Sequence, residues 1–540
     1  MKLENVSAIV GAIVMAWLLT GSVQAAVYTW DGGGADNNFS TANNWSPDTA
    51  PANIINHDIA FGVLESPFRT TANNNLDGNP ASFTFNAGAA AMTITADLGK
   101  ELQFAGGSAT PIVNNSSNVQ TFGSDIRQFW FATADKRWIA ASGNLSFTNV
   151  DLRADASLTA NVTLTIDGAF DTSISGSINK VSWTTGGPSL IKTNTGILTL
   201  SNNSNFDTVT VRGGKLRLTG GTLSTTKQNS SLGIRLAAGT LEVAGGNISV
   251  ATYGLGSFSP DTGALNVTAG AVSVAGALIV GWNSAPTFIV SGGTLTAGSI
   301  RHQDAGASIL SISGTGVVTA GDVYNNTAGS GTDGLTLNVN AGGTLVANRL
   351  YMNLTVSALT SGNHTLNVNF NGGTLKAGAT GNLIDSESYT YGAINVTVKA
   401  GGAVIDTNGK TVSVLQPFLH DSALGSTPDG GLTKKGAGTL TLSVANTYSG
   451  ATTINEGTLS LSQPNTNNDG SDFTIASGAT LDLAFTGTDT VKRLFIGGKW
   501  RSAGVYGAVG STSPIIGISQ ITGIGTLTVT YGPGTFISFF

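Results

Sequence analysis

Side chains able to do acid–base or nucleophilic chemistry are scarce in this chain. His57, His302, His364 and His420 are its whole imidazole complement, and cysteine is absent. Without thiols there is no thiol nucleophile, zinc thiolate site or disulfide. No two histidines stand at His-x-x-x-His spacing, so the zinc-protease arrangement on one helix face is not encoded. Asp58 follows His57 and Asp421 follows His420. Either pair could be half of a Ser-His-Asp set, but no Gly-x-Ser-x-Gly elbow near a strand-to-helix turn supplies the nucleophile. Glycoside hydrolysis needs paired carboxylates. Past residue 25 the glutamates are Glu65, Glu101, Glu242, Glu387 and Glu456. Asp261, Asp304, Asp322 and Asp333 stand in turn-like contexts, where an aspartate bonds its own backbone. Gly329-Ser330-Gly331-Thr332-Asp333-Gly334 is half of a calcium-binding glycine-rich nonapeptide. One copy falls short of the six to eight oxygens that calcium takes. No phosphate loop ending in Gly-Lys-Ser or Gly-Lys-Thr occurs. The expectation is a protein that is not an enzyme, with no catalytic, cofactor-binding or metal-binding residues and no cofactor.

The elements that would hold any site are repetitive strands. Charged residues make up only 10 % of the 540, while Gly reaches 73 and Pro only 13. Ordinary globular chains are about a quarter charged. Thr, Ser and Asn must therefore face solvent, which suits strands and tight turns more than helices. A unit of Gly, a small residue or Thr, then alternating apolar and polar residues recurs. It stands at Gly214-Lys215-Leu216-Arg217-Leu218, Gly239-Thr240-Leu241-Glu242-Val243, Gly293-Thr294-Leu295, Gly343-Thr344-Leu345 and Gly373-Thr374-Leu375. It returns at Gly438-Thr439-Leu440-Thr441-Leu442, Gly457-Thr458-Leu459-Ser460-Leu461 and Gly525-Thr526-Leu527-Thr528-Val529. Period-two alternation is a strand with one buried face. Spacings of about 19–30 residues fit one coil of a parallel solenoid and are short for a βαβ unit. The reading is all-β: a parallel β-helix (β-solenoid) with distinct end-capping segments. Coils of about 22 residues across 81–484 give roughly 18 coils.

The ends differ from the repeats. Lys2, then an apolar or small run from Val6 to Leu19, then Val23-Gln24-Ala25 read as an export signal over 1–25, cleaved after Ala25. Residues 26–80, with Trp30, Phe39 and Trp45, read as an N-terminal cap; 485–540, with Phe495, Trp500 and Tyr506, read as a C-terminal cap. Aromatics beside glycines suit a lid on an open coil, where bare strand edges invite aggregation. A net charge of −6 argues against a nucleic-acid partner. The mature chain shows no spanning membrane segment.

One stretch carries a resemblance. Leu432-Thr433-Lys434-Lys435-Gly436-Ala437-Gly438-Thr439-Leu440-Thr441-Leu442-Ser443 runs through Asn446-Thr447-Tyr448-Ser449-Gly450 to Ile454-Asn455-Glu456-Gly457-Thr458-Leu459. It closely resembles the autotransporter-associated β-strand repeat, or passenger-associated transport repeat, of bacterial exported proteins, with the repeat copy spanning 432–461. A degenerate copy near 190–218 has Lys192, Leu198, Leu200, Phe206 in place of Tyr448, and Asn194 in place of a glycine. The resemblance implies a right-handed β-helix, exported, whose repeat assists passage or folding of the passenger. The membrane β-barrel that ends autotransporters is not expected after Val529, since Pro533 and Gly534 interrupt the last stretch and a barrel strand needs about 9–11 residues. The implied role is an exported, non-catalytic surface or passenger-type structural protein, secreted or at the cell surface. Adhesion and contact with extracellular polysaccharide or cell-surface components are roles of the same class. The alternative is a carbohydrate-binding or polysaccharide-cleaving β-helix, betrayed by aligned Trp or Tyr with two or more carboxylates in one groove.

Overall fold

The computed structural model describes residues 26–533, apart from 101, 103, 105–107, 124–127, 132–134, 155–161, 182–186, 228–231, 252–253, 259, 328–331, 355–362, 386–391 and 465–468. The expected signal, 1–25, lies outside the described residues. The chain is all-β, a parallel β-solenoid of about 15 turns. Among the described residues helix is confined to the 3-10 turns Ala42–Asn44 and Ser422–Leu424. No helix among them is long and apolar enough to cross a membrane. Two compact units are present, one of 1–172 and 181–185, the other of 173–180 and 186–540.

In the first unit parallel stacking starts at the described N-terminus. Val27–Trp30 pairs with Asp58–Phe61, that strand with Ser82–Phe85, and that with Ile112–Asn114. Coils therefore already run through much of 26–80. Trp45–Ser46 lies antiparallel on the other side of Val27–Trp30 and closes its edge. Trp45 meets Trp30 edge-on at 5.3 Å and donates its indole N–H to the Phe39 carbonyl at 2.8 Å. Rings fill this unit's interior: Phe61 stacks on Phe85 at 4.5 Å and Phe122 on Phe147 at 4.7 Å.

The second unit is built on aliphatic columns. Leu216, Leu241, Leu265, Phe288, Leu310, Leu337, Val368 and Val396 follow one another in register, all buried. A single coil exposes these residues on both neighbouring sides; only stacking removes them from water, at about 1.5–3 kcal/mol per side chain. Coil length varies from 18 residues between Ser201 and Thr219 to 34 between Leu350 and Ile384 and 40 between Leu481 and Ile521. The longer coils explain why the turns are fewer than a uniform short period predicts. Outward charges are used in pairs across coils. Arg235 binds Asp261 through two N–H groups at 2.6 and 2.9 Å, and Glu242 takes both Lys215 and Arg217. Elsewhere amides do this work uncharged: Asn369 donates to Asn338 and Asn395 to Asn367, each at 2.9 Å. The far end is closed as in the first unit. Arg493–Ile496 continues the parallel ladder, and Lys499–Trp500 covers it antiparallel. Beside it Thr488–Val491, Gly504–Gly507, Ile516–Gly517 and Thr526–Val529 form a separate four-stranded sheet.

Candidate functional site

A polar cluster in the second unit joins residues 420–429 to the 432–461 repeat. Strand Phe418–His420 ends in a 3-10 turn capped by Asp421, whose carboxylate accepts from the Ala423 N–H at 3.2 Å. The loop returns at Asp429 before strand Leu432–Lys435. His420 Nδ1 lies 2.8 Å from Asp429 Oδ2, and Ser449 Oγ is 3.0 Å from His420 Nδ1 and 3.1 Å from Asp429 Oδ2. His420 is thus joined to Asp429, not to its sequence neighbour Asp421, which pairs with Lys399.

Serine, histidine and aspartate meet here, but not as a catalytic triad. A triad places the carboxylate on Nδ1 and the serine on Nε2. Here serine and carboxylate share the Nδ1 side, and Nε2 faces the Gly425 carbonyl at 3.1 Å. Donation from both ring nitrogens is the imidazolium pattern. The hydrogen bond to Asp429, then that to Gly425, raises the His420 pKa above its ordinary value. For Asp429 burial pushes upward, but hydrogen bonds from the Ser449 N–H, His420, and the Gly431 and Gly450 N–H groups outweigh it, holding the carboxyl below its usual range. A carboxylate taking three backbone N–H groups is an anchor for the chain around it.

Lys434 is the second unusual residue. It sits inward, in register between Ile405 and Ile454 in an otherwise aliphatic column. Its ammonium donates to Thr407 Oγ1 at 3.1 Å and to the carbonyls of Lys435, Gly436 and Glu456 at 2.9, 2.6 and 3.0 Å. Burial pulls its pKa down to about 8. Lys192 is buried likewise and donates to the carbonyls one and two residues on, Thr193 at 2.5 Å and Asn194 at 3.3 Å. The turn needs positive φ, supplied by Gly436 at 77° in one copy and by Asn194 at 60° in the other. Asparagine is among the few residues that tolerate that region. The next matched position follows the same logic. Tyr448 is buried and its hydroxyl meets Thr452 Oγ1 at 2.6 Å. In the first copy Phe206 and Val209 occupy these places, both buried. Hydroxyls are present as a pair or absent as a pair.

Two copies of one design are therefore on view, in sequence and in contacts. The family model described as passenger-associated-transport-repeat matches residues 190–225 and 432–461. This chain carries the passenger-associated transport repeat. No curated protein and no solved structure matches it.

The remaining candidates are placed as follows. His302 is buried, between Ser308 Oγ at 2.9 Å and the Asp304 carbonyl at 2.9 Å, and burial lowers its pKa. His364 Nδ1 meets Asp333 Oδ2 at 2.6 Å, and Asn325 donates to the other oxygen at 2.6 Å. Asp333, expected at a turn, is buried with both histidines in polar contacts inside the solenoid. Sequence spacing missed this because Asp333 and His364 are neighbours only through inter-coil register. Asp333 is spent on His364; the Gly329 to Gly331 part of its glycine-rich stretch lies outside the described residues. No group of three or more metal-ligating side chains occurs among the described residues. His57 lies against the Tyr28 ring at 5.1 Å, and Asp58 accepts from Ser82. Asp261 is bound by Arg235 and Glu242 by two cations. Glu101 and Glu387 fall outside the described residues or their side chains. Asp406 and Glu456 line one shallow depression with Lys435 and Asn455, and no aromatic ring lines it.

Proposed function

We propose that this chain is an exported, non-catalytic passenger-type protein, secreted or held at the bacterial cell surface, where its solenoid has a structural and adhesive role. The observation that carries this reading is the transport repeat built into successive coils of a parallel β-solenoid. Its most reactive-looking residues, His420, Asp429, Ser449 and Lys434, are consumed in bonds to their own backbone. Faces kept wet by Thr, Ser and Asn suit a surface that meets many extracellular conditions with little dependence on salt.

The test is expression of the whole chain in a Gram-negative host, with cell fractionation, protease accessibility and N-terminal sequencing. The expected result is protein outside the cytoplasm, beginning at Ala26, and cytoplasmic retention when 2–25 are deleted. Full-length protein confined to the cytoplasm with Met1 intact would sink the reading.

A further inference from the structure

One outer face of the second unit is unlike the others. Strands Ala264–Trp282, Thr294–Gln303, Val317–Thr327 and Arg349–Leu354 lie side by side in parallel there. Arg301, Tyr324 and Tyr351 follow one another in one outward column; Trp282, Gln303, Asn326 and Asn353 follow in the next. Between residues 190 and 430, Trp282, Tyr324 and Tyr351 are the Trp and Tyr whose side chains are described, and all three stand on this face. Further along the same sheet the outward places are held by Ser413, Thr441 and Ser460.

The rings are already ordered. Phe258 packs parallel to Trp282 at 4.5 Å, Tyr324 to Tyr351 at 5.2 Å, and the Arg349 guanidinium lies 4.3 Å from the Tyr351 ring centre. Asp261 fixes the Phe258 N–H at 3.2 Å while itself held by Arg235. Ordered amphipathic rings contact a ligand with little loss of conformational freedom. Beside them Asn353 donates to Asn326 at 2.9 Å, a planar amide row with capacity left for hydroxyl groups. Among the described side chains of these strands, Arg301 and Arg349 stand against Asp322 and the Asp385 that Arg349 pairs with. Such a face has no net field with which to select an anionic chain.

We propose that this face is a docking surface for a neutral polysaccharide, lying along the coil axis. Coils stacked about 4.8 Å apart repeat at roughly the length of one hexose unit, so ring and amide contacts can recur from sugar to sugar. The proposal rests on the passenger reading, because only an exported chain meets an extracellular glycan.

The experiment is affinity electrophoresis and pull-down of the full chain on cellulose, xylan, mannan and laminarin, with pectate and alginate as acidic comparisons. Wild type is expected to be retained by at least one neutral polymer, unaffected by added salt. Trp282→Ala, Tyr324→Ala and Tyr351→Ala should each weaken it about tenfold or more, the scale of an interface hot spot. Lys435→Ala, on another face, should bind as wild type. Tyr351→Phe, which keeps the ring, and melting curves of every variant separate ring loss from misfolding. Failure to bind any neutral polymer, salt-sensitive binding to the acidic ones alone, or full binding by the folded triple alanine variant would each overturn the proposal. The fractionation experiment decides the passenger reading separately: an exported chain that binds no neutral polymer removes this inference and leaves that reading standing.

Discussion

Replacing Lys434 by methionine tests the account of the repeat most directly. Methionine matches the stem of lysine and suits a column between Ile405 and Ile454. By hydrophobicity alone Lys434→Met should stabilise. Removing the charge lifts a desolvation penalty: a pKa lowered from 10.5 to about 8 corresponds to about 3 kcal/mol. Against this, the Gly436 and Glu456 carbonyls and the Thr407 hydroxyl oxygen lose this donor, while the Lys435 carbonyl keeps the Thr407 N–H at 3.0 Å. A buried acceptor left bare costs about 1–3 kcal/mol. The Thr407 hydroxyl still donates to Lys435, so the full penalty does not apply to all three. The net expectation is a loss of about 2–4 kcal/mol, confined to the coils around 405–461 because solenoid coils contact only their neighbours.

Native-state hydrogen exchange of peptides across 405–461 reads that local opening free energy, where a global melting point would average it away. A pH series adds an independent arm. The folded pKa is below the unfolded one, so between about pH 8 and 10.5 the unfolded chain binds more protons. Wild-type protection should therefore rise with pH across that window, and Lys434→Met should lack the rise. Protection in the methionine variant equal to or above wild type at pH 7 would refute the reasoning: the ammonium would then be a tolerated burden instead of the group that holds the turn.

Three other outcomes are expected. Tyr448→Phe should lower stability by about 1 kcal/mol by leaving the Thr452 hydroxyl unpaired, and adding Thr452→Val, the pairing seen in the first copy, should recover most of it; denaturant unfolding of the single and double variants measures the coupling. His420 has a raised folded pKa, so its contribution is fully present below about pH 6.5 and is lost as pH climbs through the folded value. Exchange protection of 421–431 should fall from pH 5.5 to 8, and His420→Asn should flatten that dependence. Gly438→Ala should destabilise by about 1–3 kcal/mol or more, since its Cβ would lie 1.9 Å from the Lys410 carbonyl oxygen; unchanged thermal unfolding would contradict the close coil approach.

What was legible in the sequence followed from chemistry that acts along the chain. Alternation at Thr439–Leu442 and Thr458–Leu461 states which side chains face inward, and the structure buries Leu440, Leu442, Leu459 and Leu461. What stayed hidden acts across coils. Asp333 with His364, His420 with Asp429, and the Trp282, Tyr324 and Tyr351 face join residues whose separation is a coil length or an insertion within one. Since coil length varies between neighbours, no fixed period in the sequence brings these pairs together.

Lys434 lies between these cases. Period two from Leu432 already places it inward, and only the expectation that a lysine must face water argues otherwise. The contacts show why the pattern was the better guide. A buried lysine is costly unless its charge is met, and the turn directly after it, opened by a residue at positive φ in both copies, presents carbonyls within its reach. Lysine and turn satisfy each other at Lys435 and Gly436, the following coil adds Glu456 inside the same repeat, and the preceding coil adds Thr407. This local closure explains why the repeat is recognisable over about thirty residues while coils on either side of it drift in length and composition. A motif whose polar groups are paired internally keeps its residue types; a coil that needs only apolar columns can exchange Leu, Val, Ile and Phe freely.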